Sequence, residues 1–124
     1  MSFMGFPRGR RIVATIKINV SSVGAVTIST DGGLTYSSTS YAPGAWTQLI
    51  ASTSRNINQV EIFDSSGNTA LLGTGAAGFE VALAQIIPGG NGILPLRIDA
   101  GTRVAVRPFV ALPSSTECTI NFYD

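Results

Sequence analysis

Histidine is missing from this chain of 124 residues, cysteine occurs once, and only 12% of the residues are charged. Without histidine there is no Ser-His-Asp or Cys-His nucleophile pair, no imidazole general base and no ordinary zinc, copper or non-haem iron site. The common hydrolase mechanisms are closed. Cys118 has no partner for an internal disulfide, and its neighbours Glu117 and Thr119 supply no cation to activate a thiolate. It reads as a small apolar residue on a buried strand face.

Charge is scarce in both signs. Eight Lys+Arg against seven Asp+Glu leave a net charge of +1, which supplies no field for nucleic acid. A soluble domain usually carries about 25% charged residues. Here either Ser, Thr, Asn and Gly solvate the surface or other subunits cover part of it. Long apolar runs are missing too, because Glu80, Gln85 and Asn91 interrupt the longest weakly polar stretch, so no membrane span is expected. The N-terminus matches neither a secretory nor a twin-arginine signal.

What is present alternates. Ile12, Ala14, Ile16, Ile18 and Val20 share one face of an extended segment, while Thr15, Lys17 and Asn19 take the other. Shorter patterns recur at 25–30, 45–50, 59–63, 93–98, 103–107 and 117–123, with further strands expected near 36–40, 70–73 and 79–87. Turn residues separate them: Asp31 to Gly33, Pro43 and Gly44, Ser65 to Asn68, Pro88 to Gly92, Asp99 to Gly101, and Pro113 to Ser115. Strands at this spacing predict an all-β antiparallel sandwich, jelly-roll-like, of about eight strands. Pro95 inside a strand implies an edge or a bulge. The sandwich is assigned to residues 11–124, and residues 1–10 to an extended N-terminal arm. In and beside that arm, Phe3, Phe6, Arg8, Arg10 and Arg11 form a mixed aromatic and basic set suited to docking on a partner.

One string imitates a nucleotide site. Gly73, Gly75 and Gly78 match the spacing of the dinucleotide-binding fingerprint, and Asp99 falls about 20 residues further on, where a ribose-binding acid belongs. The surroundings oppose that reading. A mononucleotide-binding half requires βαβαβ, whereas everything after Asp99 alternates as strand. The glycines are better read as a tight loop between antiparallel strands, and no cofactor is expected.

Other candidates divide between chemistry and packing. The carboxylates of Asp31, Glu61, Asp64, Glu80, Asp99, Glu117 and Asp124 include any number of formal glycosidase pairs, but no cluster of Trp and Tyr accompanies them, and no enzyme is expected. Asp64 with the following serines lacks a calcium-loop spacing and reads as a turn. Trp46 is expected in the core or at a subunit interface. Arg97, Arg103 and Arg107 point outward on their strands, where they solvate a face or pair across an oligomer interface with Glu61, Glu80 or Asp99.

Residues 45–123 carry a further signal in their order of strings: Trp46 to Leu49, Asn58 to Phe63, Asn68 to Gly78, Leu94 to Ile98, and above all Ile98 to Val106 with Ala100, Gly101, Thr102 and Arg103 inside it. This order resembles small β-sandwich virion proteins of tailed bacteriophages, in the capsid cement, decoration or fibre-associated families, and covers about two-thirds of the chain. The resemblance implies a non-enzymatic jelly-roll subunit, a homotrimer on the capsid surface whose partner is the major capsid protein, made in the host cytoplasm and free of direct nucleic-acid or membrane contact. A tail or fibre attachment domain, binding a receptor, is the alternative that the same resemblance allows. No catalytic motif accompanies it.

Overall fold

A strand that buries one face must alternate, and several of the ten strands of the computed structural model do so around one apolar layer, while others are exposed or buried along most of their length. Described are residues 11–21, 25–40, 44–67, 69–89, 91–108 and 116–124. The strands are β1 (Ile12–Val20), β2 (Ala25–Ser29), β3 (Ser37–Ser40), β4 (Thr47–Ile50), β5 (Gln59–Gly67), β6 (Ala70–Thr74), β7 (Val81–Ile86), β8 (Gly92–Leu94), β9 (Val104–Pro108) and β10 (Thr116–Tyr123). They form a six-stranded sheet in the order β3-β2-β1-β10-β5-β8 and a four-stranded sheet in the order β4-β9-β6-β7. Every pairing between strands is antiparallel.

With β2 and β3 set aside, the eight remaining strands pair first with last and inward from there: β1 with β10, β4 with β9, β5 with β8, and β6 with β7. That nesting is one long antiparallel hairpin rolled into two sheets, the jelly-roll topology. The expected count of about eight is therefore the roll itself. The β2–β3 hairpin is an addition that widens the six-stranded sheet beyond β1.

Side chains from both sheets meet between them. Ile16, Ile120 and Ile62 form one cross-strand row of the larger sheet, and Phe122 pairs with Val60 beside it. Val106 and Leu72 face them from the smaller sheet, and all seven are at most 1% exposed. Cys118 lies in this layer, and burial pushes its thiol up to about 12. Iodoacetamide at neutral pH is expected to leave Cys118 unmodified in the native protein and to alkylate it in denaturant, which mass spectrometry reads directly.

Two local expectations are corrected. The strand expected over 93–98 ends at Leu94, because Pro95 has no N–H to continue a ladder, and Ile98 makes only an isolated bridge to Ile57. A turn was expected at Ser65 to Asn68, yet β5 continues to Gly67 through a bulge. There Asp64 and Ser65 oppose the single residue Cys118. Asp64 takes a φ of 53°, which a short polar side chain tolerates. Ser65 turns inward and donates to the Ile87 carbonyl.

The β2–β3 connection is organised by one carboxylate. Asp31 Oδ1 accepts from Ser29 Oγ at 2.8 Å and from the backbone N–H groups of Leu34 and Thr35 at 3.0 and 2.9 Å, while its Oδ2 accepts from Thr35 Oγ1. Hydrogen bonds from the Thr35 side chain, the Thr35 backbone and Ser29 hold its carboxyl down, from 3.8 to about 2. The folded value lies below the unfolded one, so this support is complete above pH 3.8 and is lost as the pH falls through about 2. An NMR titration should place the Asp31 midpoint near 2 and show the Leu34 and Thr35 amides shifting with it.

Candidate interaction surface

Among the residues expected to dock or assemble, Phe3, Phe6, Arg8 and Arg10 lie outside the described residues. Arg11 is described and sits against Asp124. Its backbone N–H donates to Asp124 Oδ1 at 2.8 Å, its Nε to Oδ2 at 3.1 Å, and the Asp124 N–H returns to the Arg11 carbonyl at 3.0 Å. These contacts close the end of β1 on the end of β10. Hydrogen bonding from the Arg11 backbone, ahead of its side chain and charge, holds the Asp124 carboxyl below the usual carboxylate range.

Trp46 lies on the outer face of the four-stranded sheet, because Thr47 and Leu49 point inward from β4. Its indole reaches past β9 to rest on Gly73 of β6. A Cβ added at Gly73 would stand 2.5 Å from Trp46 Cη2 and 2.7 Å from Cζ3. The neighbour of Gly73 on β9 is Ala105, also small and fully buried. The first glycine of the fingerprint therefore makes room for an indole. Gly75, at a φ of +130°, starts the turn that joins the antiparallel strands β6 and β7. No helix follows, since Val81–Ile86 is strand.

The three arginines behave differently. Arg103 NH1 meets Glu80 Oε2 at 2.8 Å within the same chain, with side-chain exposures of 16% and 6%, and its Nε donates to Gln48 Oε1 at 3.0 Å. One guanidinium thus ties β4 to the turn before β7. Burial raises the Glu80 carboxyl, but hydrogen bonds from its own backbone, Arg103 and Gly78 outweigh that and hold it below its ordinary value. Arg97 pairs with Asp99 at 2.9 Å on the exposed surface and also donates to Asn58. Arg107 lies beside Leu71 on the outer face, and its buried Nε has no hydrogen-bond partner among the described residues.

Sequence reading passed over a segment with several exposed apolar side chains. Phe79, Val81, Ile87 and Ile93 are 80, 64, 40 and 60% exposed, four of the seven large hydrophobic residues left outside among those described. They lie on or beside β7 and β8, the terminal strands of the two sheets. The short connection 87–91 spans the distance between packed sheets, about 10 Å, only if both strands border the same side of the sandwich. Along that side neither strand carries a charged residue or a proline, the usual guards of an exposed edge. The signal was visible as an uncharged stretch, but only strand order shows that it forms an edge.

No group of three or more His, Cys, Asp or Glu that could hold an ion occurs among the described residues. Ser65, a possible calcium ligand beside Asp64, directs its hydroxyl to the Ile87 carbonyl instead. In comparisons with known proteins, no family model, no curated sequence and no solved structure matches the chain.

Proposed function

We propose that this chain is a non-enzymatic structural subunit of a tailed-bacteriophage virion, a cement or decoration protein that binds the outer capsid surface as a homo-oligomer and stabilises the shell. The observation that carries the reading is the set of exposed apolar side chains, Phe79, Val81, Ile87 and Ile93, on or beside the edge strands β7 and β8, neither of which contains a charged residue. An exposed strand edge without charge invites further pairing, and water is a poor neighbour for a phenyl ring and three branched aliphatic side chains. A second copy of the chain would cover them. The low charge fits a subunit whose flanks are shared with neighbours, and the resemblance over residues 45–123 supplies the phage context. Since one fold serves many roles, the jelly roll is compatible with this function without specifying it.

In the proposed assembly, many modest contacts with the major capsid protein are multiplied by the symmetry of the shell. Phe3, Phe6, Arg8 and Arg10 would make the contact with the coat, and the β7–β8 border the contact between copies. The test is addition of purified protein to expanded capsids that lack it, combined with native mass measurement. Binding with a raised disruption temperature, and an oligomeric mass, are expected. A monomer that leaves shells unbound overturns the proposal. Binding to tails or to cells instead would transfer it to an attachment role.

A further inference from the structure

A trough of about 380 Å³ lies on the outer face of the six-stranded sheet, remote in sequence from the 79–93 border and unrelated to the proposed assembly. Its floor is built from Lys17 and Asn19 of β1 with Glu117 and Thr119 of β10, which stand opposite one another in register. Tyr36 forms one wall, from the β2–β3 connection. Asp64 forms the other, tipped outward by the bulge that turns Ser65 into the core.

The groups are held in place. Asn19 Nδ2 donates to Glu117 Oε1 at 2.6 Å. The Asp31-centred turn leads directly into Tyr36, and Tyr36 Oη and Lys17 Nζ both lie against Gly33, where an added Cβ would meet them at 3.1 and 3.8 Å. Lys17 has no salt-bridge partner among the described residues.

Chemistry narrows the ligand. Lys17 donates, Asp64 and Glu117 accept, and Tyr36 is 54% exposed. Two carboxylates repel phosphate and acidic ligands, while an ammonium in the floor opposes a bare cation. A sugar satisfies both sets, since each hydroxyl donates and accepts and the C–H face of the ring packs on an aromatic wall. The volume also suits one or two sugar rings. We propose that this trough binds a neutral or amino-substituted saccharide unit, with Lys17, Asp64 and Glu117 hydrogen-bonding its hydroxyls or amine and Tyr36 stacking on its face.

The test titrates isotope-labelled full-length protein with glucose, galactose, N-acetylglucosamine and glucosamine, with glucuronate, phosphate and calcium as controls, and follows backbone amides by NMR. Saturable shifts at residues 17–19, 36, 64 and 117–119 are expected with at least one neutral or amino sugar at millimolar concentration. Glu117→Gln, nearly isosteric, and Tyr36→Ala should each weaken binding by about tenfold, while Tyr36→Phe retains it. Unchanged amides elsewhere certify the fold of each variant. Failure of all four sugars to shift these residues overturns the proposal, as does an equal or stronger response to glucuronate, phosphate or calcium. Neither result bears on whether the protein binds capsids.

Discussion

In the proposed assembly, replacing Phe79 by serine and Val81 by lysine together is expected to convert the oligomer to a monomer without unfolding the subunit. Both side chains are already largely in water, at 80 and 64% exposure, so the isolated subunit loses little packing. Between copies the loss is large. Fully burying a phenylalanine or valine contributes about 1.5–3 kcal/mol each, so removing both weakens every contact by at least about a hundredfold. A lysine on the edge strand adds the cost of stripping an ammonium of water, the device by which natural edges avoid pairing. Native mass spectrometry and sedimentation are the measurements, with circular dichroism as the fold control. A variant that keeps the parent's oligomeric mass would show that the β7–β8 border is not the contact between copies.

Gly73→Ala is expected to cost about 1–3 kcal/mol, the usual penalty for overpacking a filled site. A methyl group there would stand 2.5 Å from the indole of Trp46 and 2.7 Å from the Val81 carbonyl. The β6 backbone cannot retreat, because it is paired to β9 on one side and β7 on the other. The indole has to lift. As the chain contains one tryptophan, its emission reports this directly and should shift to the red, while urea unfolding gives the stability change. In a Trp46→Ala background the cost of the same substitution should shrink, leaving the part due to the Val81 carbonyl. A neutral Gly73→Ala with unchanged emission would contradict the packing described here.

That glycine marks where sequence reading stopped. Its place in a glycine-rich string was visible, and so was the better choice of a loop between antiparallel strands over a phosphate cradle. What it accommodates was not, because Trp46 lies just before β4 and reaches it across β9. Arg103 and Glu80 follow the same pattern. The outward orientation of Arg103 was legible from alternation, but whether its partner lies within the chain or across an interface is a matter of which strands adjoin. The trough on the larger sheet was hidden more deeply still: Lys17, Tyr36, Asp64 and Glu117 have no common motif, and the bulge that tips Asp64 over β10 leaves no mark in local composition. The apolar border drew no notice because an uncharged strand reads alike at an edge and in a sheet interior.

By itself the sequence determined the all-β character, the positions of the ten strands to within a few residues, and the closure of histidine-dependent chemistry. Those properties are local: alternation has a period of two, glycine and proline restrict φ where they stand, and a missing side chain is missing in every fold. Only the tertiary structure decided the order of strands in the two sheets, and with it the apolar border, the seat of Trp46 and the polar trough. Antiparallel pairing depends on long-range registry and on which faces must be buried together, and that free energy is summed over the whole molecule rather than written in any one segment.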